Sequence, residues 1–185
     1  MSGLPEYWQQ AVKPRVLVRT PTLADRAAFI AAVRCSRALH RPWVSAPATE
    51  QAYRRYLKRI AGKEHRGFLV VDAGRGDLIG IINLNNIILG AFRSAFLGYY
   101  AFAGGAGRGL MHDGLRLVMA QAFRKLKLHR LEANIQPGNR ASIALARKCG
   151  LRREGFSRRY LKVRGRWKDH ERWAICVEDF TSSSR

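Results

Sequence analysis

Apolar and polar positions change rhythm along the chain, and each change marks an element. Val16, Leu17 and Val18 form a short β-rich run that reads as a first strand. Thr22 stands at a cap position with Asp25 three residues on, so a helix is expected to about residue 34. Thr49 caps a second helix to about Ile60, which Gly62 ends. Between them, Leu39-His40-Arg41-Pro42-Trp43 reads as an irregular apolar loop. Residues 68–71 and 78–82 are rich in β-formers and flank Ala73-Gly74-Arg75-Gly76-Asp77, the turn of a hairpin. The second of these runs can continue to Leu89. A third strand covers 95–101, and the three make an antiparallel meander.

The second half has another rhythm. Met111, Leu115, Val118, Ala122 and Leu126 recur at three- and four-residue steps, so a helix starts near Leu110. Arg124, Lys125 and Lys127 stand at its C-terminal end, where cations complement the dipole. Leu131, Ala133 and Ile135 alternate with Glu132 and Asn134, a strand with one polar edge. Pro137-Gly138 is a turn, Asn139 caps a helix to Cys149, and Gly150 stops it. Strands over about 153–163 and 167–177 bracket the turn Arg164-Gly165-Arg166. The order βαα–βββ–αβα–ββ predicts an α/β fold, a mixed sheet with helices on its faces. A chain of 185 residues is expected to be one domain over 1–185, with a core over about 15–177 and loose ends at 1–13 and 181–185.

Composition narrows the class. A hydrophobic content of 47% excludes a disordered basic tail protein. No run of about 18 apolar residues occurs, which excludes a membrane-spanning helix. The first fifteen residues lack the layout of a signal peptide. Cys35, Cys149 and Cys176 share no metal-like spacing and read as core thiols of a protein in a reducing cytoplasm. A cytoplasmic location, no membrane partner and no metal are therefore expected.

The formal net charge of +21 predicts a polyanionic partner. Between Arg124 and Arg172 there are 16 basic residues against four acidic ones, so the excess is concentrated there. The stretch 158–172 is the densest part and carries Tyr160 and Trp167, an interleaving that suits RNA contact. Arg54, Arg55, Lys58 and Arg59 make a second basic run on one helix. Either run can equally be a solvated face.

The candidate chemistry begins at Ala103-Gly104-Gly105-Ala106-Gly107-Arg108-Gly109, a glycine-dense turn between a strand and an amphipathic helix. Glycines let backbone N–H groups point into one concavity, and a helix N-terminus adds orphan donors. The turn therefore suits a pyrophosphate, with Arg108 as a candidate for an added charge. It is neither of two common phosphate loops: no Gly-Lys-Ser/Thr occurs, and the glycine spacing does not fit G-x-G-x-x-G. A turn whose glycines serve only backbone geometry is the alternative.

Six segments then occur in order: Leu97-Gly98-Tyr99, Gly107-Arg108-Gly109-Leu110-Met111, His129-Arg130-Leu131-Glu132-Ala133-Asn134, Asn139-Arg140-Ala141-Ser142, Gly150-Leu151-Arg152-Arg153-Glu154-Gly155 and Trp167-Lys168-Asp169-His170. On this strand and helix order the chain resembles the GCN5-related N-acetyltransferases (GNAT), and within them the RimJ/RimL type that acetylates ribosomal-protein N-termini. The resemblance implies the GNAT fold, a mostly antiparallel sheet splayed at the donor site. It implies acetyl-CoA as donor and, as acceptor, a protein N-terminus or a small amine.

The same resemblance implies site residues. The phosphate loop maps to Ala106, Gly107, Arg108, Gly109, Leu110 and Met111, although the family favours Gln or Arg at the first position and Gly or Ala at the last. The strand ahead of it points Tyr100, Ala101 and Phe102 at the pantetheine arm, and an N–H near Ala101 at the thioester oxygen. Asn139 and Ser142 match the family's Asn-x-x-Ser beside the thioester, with Ser142 serving the leaving thiolate. The family's tyrosine acid is replaced by Ala146, leaving Tyr160 as a substitute candidate. A glutamate that serves RimL-type members is replaced by Leu161. Glu132 is then the candidate base, or else a structural partner of Arg130. Asn83 and Asn85 are candidate amine ligands, and His170 reads as a structural histidine beside an acid. A cationic small acceptor such as a polyamine would be repelled unless the groove is locally acidic. The alternative function is a catalytically weak module of this fold that binds RNA or the ribosome through 158–172.

Overall fold

The structure, a computed structural model, describes residues 14–182. The expected loose ends at 1–13 and 183–185 lie outside the described residues. In chain order the elements are β1 (Val16–Arg19), α1 (Arg26–Cys35), α2 (Arg37–His40), α3 (Glu50–Ile60), β2 (Arg66–Asp72), β3 (Leu78–Ile88), β4 (Ser94–Ala101), α4 (Leu110–Arg124), β5 (Arg130–Ile135), α5 (Arg140–Lys148), β6 (Arg152–Val163), β7 (Arg166–Cys176) and α6 (Val177–Ser182). Short 3-10 turns at Leu23–Asp25 and Ala103–Gly105 precede α1 and α4.

The caps read from the sequence are made. Thr49 Oγ1 accepts from the N–H of Ala52 at 3.2 Å, and Asn139 Oδ1 from that of Ser142 at 3.2 Å. Asp25 Oδ2 accepts from the N–H of Thr22 at 2.7 Å and also holds Arg19. That guanidinium, opposed by desolvation and helped by Thr22, lowers the Asp25 carboxyl to about 2.

Three expectations are corrected. Part of the stretch read as a loop before Trp43 is the one-turn helix α2. The last strand ends at Cys176, and Val177 opens α6. No helix was expected there; α6 runs to Ser182, and Phe180 is buried with its ring 5.3 Å from that of Phe123.

The seven strands form one sheet in the order β1-β2-β3-β4-β5-β7-β6. Helices cover both faces. On one, α4 and α5 pack with Val70, Ile82, Leu84, Leu115, Val118 and Leu131. On the other, α1 and α3 place Phe29, Tyr53 and Tyr56 on Leu69, Ile81 and Phe102. Truncating such a fully buried side chain to alanine costs about 2–5 kcal/mol. Among the described residues no helix is long and apolar enough to cross a membrane.

One junction differs from the others. Every pair is antiparallel except β4 with β5, which run parallel and register only over Ser94–Arg130, Ala95–Leu131 and Phe96–Glu132. Beyond Phe96 and Glu132 the strands separate. A bulge in β3 between Asn85 and Ile88 sits beside this point, and bulges bend a strand and increase its twist. The separation opens a cleft through the middle of the sheet.

Candidate active site

The cleft has a volume of about 860 Å³ and crosses from the α4–α5 face to the α1–α3 face. At its α4 end the cleft reaches Met111, two residues beyond the last glycine of the turn. Gly107 and Gly109 both have φ of +75°, a region that costs a residue with a Cβ about 1–2 kcal/mol. Gly109 is the residue before α4, so Leu110 and Met111 open the helix with orphan N–H groups. Among the described residues, no protein acceptor takes the N–H of Gly107, Arg108, Gly109, Leu110 or Met111. Five free donors at a helix N-terminus fit a pyrophosphate. The Leu110 and Met111 side chains are buried beneath them, and Ala106 is exposed with its N–H turned back to Ala103.

Arg108 is not aimed as its sequence position suggested. Its guanidinium lies 2.6 Å from Asp72 Oδ2, while its carbonyl accepts from Arg15 at 2.6 Å. Burial raises the Asp72 carboxyl, but the N–H groups of Gly74 and Arg75 and this guanidinium outweigh it, and the net shift is downward. Arg108 therefore braces the turn from outside and offers a ligand its N–H.

Strand β4 forms one wall. Phe102 donates its N–H to Ile79 at 2.7 Å and accepts from Gly105, so its backbone is committed and its ring is core. By antiparallel alternation Tyr100 also turns its backbone to β3, whereas Tyr99 and Ala101 turn theirs toward the cleft. The Ala101 carbonyl takes a hydrogen bond from His40 Nε2 at 2.8 Å, which leaves its N–H for a ligand. Of the three residues expected there, Tyr100 lines the cleft through its ring, Ala101 through its backbone, and Phe102 does not line it.

The opposite wall carries Asn139 and Ser142 at the start of α5. Asn139 caps the helix, and Ser142 stands in its first turn with its carbonyl held by the Tyr99 hydroxyl at 2.9 Å. Burial pushes that tyrosine hydroxyl up, so it stays protonated.

Other candidates are redistributed. Glu132 lies at the closed end of the splay, opposite Phe96, and does not line the cleft. Its Oε1 accepts from Arg130 at 3.1 Å, and Arg130 also pairs with Glu154. This pairing is the one the structural alternative expects. Asn83 lines the cleft and accepts from the Tyr56 hydroxyl at 2.9 Å, but Asn85 does not line it. Tyr160 is also outside; its ring stands 6.3 Å from that of His170. Of the cysteines, Cys149 is buried with its thiol pushed up to about 12 by desolvation, Cys176 is half-buried, and Cys35 is exposed and not a core thiol.

The sequence reading did not place His170 in the cleft. His170 is only 3% exposed, yet it lines the cleft from β7. Its Nδ1 lies 2.9 Å from the Lys168 carbonyl. A carbonyl only accepts, so Nδ1 carries the hydrogen and Nε2 keeps a lone pair. Desolvation lowers the ring's pKa despite the opposing Lys168 carbonyl and Asp169, so the neutral form prevails at neutral pH. Also missed were His40, Trp43 and the α3 arginines Arg55 and Arg59. The i,i+4 spacing of those arginines is the one sequence signal for a shared helix face. Away from the cleft, His129, Cys176 and Glu178 bring potential ligand atoms within 4.8 Å of one another, from positions far apart in the chain.

The comparisons with known proteins agree with this geometry. Residues 15–152 match the family described as acetyltransferase (GNAT) domain. The "Probable N-acetyltransferase YjcK" of Bacillus subtilis (strain 168) is 39% identical over 124 residues, 67% of this chain and 68% of that protein. The ribosomal protein uS5-alanine N-acetyltransferase of Escherichia coli (strain K12) is 32% identical over 114 residues, 62% of this chain and 59% of that one. The structure of Mycobacterium smegmatis RimJ in complex with CoA-disulfide superimposes with a TM-score of 0.80 at 25% identity, over 92% of this chain and 90% of that one.

Proposed function

The chain belongs to the GNAT N-acetyltransferases, on their RimJ/RimL-type branch, and from that premise we propose that it acetylates the N-terminal α-amine of a protein. The observation that carries this reading is the cleft itself. It runs from Met111, the last of five consecutive residues whose N–H groups have no protein acceptor among the described residues, to the buried, neutral His170. Acetyl-CoA, when bound, supplies the acetyl thioester.

The chain's own residues divide the work. The N–H groups from Gly107 to Met111 hold the pyrophosphate. The Ala101 N–H donates to the thioester oxygen, where charge develops. His170 Nε2 takes the proton that the amine loses as its nitrogen bonds the acetyl carbon and the carbon–sulfur bond breaks. Ser142 gives its hydroxyl hydrogen bond to the departing sulfur. The proton taken from the amine finally neutralises the thiolate. Asn83, held by Tyr56, is the amine ligand.

A second reading is favoured by the β6–β7 hairpin. Lys162, Arg164, Arg166 and Lys168 are exposed, none has a carboxylate partner among the described residues, and Trp167 is 61% exposed. Such a surface suits RNA, either as the protein's whole role or as the means of placing an enzyme beside a ribosome. One experiment separates the readings: thiol release from acetyl-CoA with peptides and small amines, and RNA binding across a salt series. Turnover with N-terminal peptides supports the transferase. Absent turnover with steeply salt-dependent RNA binding supports the binding module.

A further inference from the structure

On the α1–α3 face the cleft is lined by Ala52, Arg55, Tyr56 and Arg59 of α3. Among the described residues no aspartate or glutamate lines the cleft. Its charged side chains are Arg55 and Arg59, one turn apart on α3. Neither has a carboxylate partner among the described residues, although their neighbour Arg54 is paired with Glu50. The Arg59 guanidinium stands 5.7 Å from the centre of the Tyr56 ring, and the Tyr56 hydroxyl is fixed on Asn83. The arginine is thus steadied beside the amine ligand. The glycine turn and its pyrophosphate donors belong to the other end, so a donor phosphate does not account for the pair.

We infer that the acceptor is an acidic N-terminal segment, whose carboxylates are read by Arg55 and Arg59 while its α-amine reaches His170. This deepens the acetyltransferase reading and rests on it. Residues i and i+4 of a helix are about 6 Å apart along the axis. Side chains two residues apart in an extended peptide lie on one face at about 6.6 Å. The spacings match, so acidic residues at alternate positions meet the two guanidiniums in turn, and guanidinium forks suit carboxylates. A polyamine has the wrong sign: among the described residues no acid on the cleft walls would admit one.

The test compares kcat/KM for two octapeptides that begin with alanine and differ only in Asp or Lys at the second and fourth positions, with spermidine as a third acceptor. The acidic peptide should lead by about tenfold or more, the worth of one or two charge-assisted contacts. In the Arg55→Gln/Arg59→Gln double variant that ratio should collapse toward one. A Lys58→Gln/Lys63→Gln control removes the same charge from exposed positions outside the cleft and should keep the ratio. Equal or better turnover of the lysine peptide or spermidine would overturn the inference. So would collapse of the ratio in the control, or weaker acetyl-CoA binding in the double variant. If no amine is acetylated, the transferase reading fails by itself. Calorimetric binding of the two peptides to the CoA-loaded protein then decides whether the arginines read acidity.

Discussion

The two ends of the cleft are built from different parts of the chain. At the glycine turn the groups on offer are backbone N–H donors of five consecutive residues, without a protein acceptor among the described residues. At the α3 mouth they are side chains: Arg55, Arg59, Tyr56, Asn83 and His170 come from three separate elements. A site made of backbone asks for a conformation and tolerates changes of side chain. That is why Ala106 and Met111 can depart from the family's pattern while the donors stay in place. A site made of side chains tolerates almost any backbone but depends on each residue's identity and on how its neighbours hold it.

The sharpest way to break this contrast is at His170. His170→Gln should lower kcat by about 10² to 10⁴, the range for loss of a positioned base. Acetyl-CoA affinity, measured by calorimetry, should hardly move. In the wild type, kcat/KM should climb with pH through a pKa below 6.5 and then level, because burial disfavours the charged ring. The variant should lose that limb. Stability follows the same sign: below about 6.5 the unfolded chain takes up a proton that the folded chain resists, so His170 costs stability as pH falls through that window. A full-rate variant would remove the histidine from the chemistry.

Gly109→Val is the next test, and it acts on the other end. A β-branched residue forced to φ of +75° must move the backbone, and the donors move with it. Affinity for acetyl-CoA should drop about tenfold or more, from a cost of about 1–2 kcal/mol in conformation before any lost hydrogen bond. Unchanged affinity would sink the pyrophosphate assignment. Peptide preference should survive where turnover can still be measured.

The smallest effect is expected at Glu132→Gln. The carboxylate pairs with Arg130 at the closed end of the splay, and a partly exposed pair is worth about 0–1 kcal/mol. Turnover should stay within about twofold and the melting temperature should fall by a few degrees at most. A large loss of kcat would restore Glu132 as the base.

The same contrast explains what could be read in advance. The glycine turn was legible because its signal is local: a strand, glycines, then a helical period, all within about twenty residues. Strands and the longer helices were legible for the same reason. The alternation along β5 put Glu132 on its polar face but said nothing of its depth. Alternation gives the face, while only the register opposite Phe96 shows that Glu132 lies where the sheet is still closed. His170 looked structural because nothing local distinguishes a buried strand histidine from one at a cleft wall. Arg55 and Arg59 looked like part of a solvated basic face, since the absence of acid around them among the described residues is a property of several other segments. Arg108 was misdirected by a partner 36 residues away, Asp72. The last helix was missed because Val177 extends the apolar run of β7, and only packing against Phe123 shows that Phe180 ends it.

The seam between β4 and β5 has a mechanical consequence. In the plane of the sheet the halves β1–β4 and β5–β7 are joined by three residue pairs, and past them the sheet is a fork. A molecule seated in the splay touches both tines, with Ala101 on one and Ser142 carried beside the other. It then acts as a crossbar as well as a reactant. Such a crossbar would restore across the splay the connection that the strand pairing drops after Phe96 and Glu132.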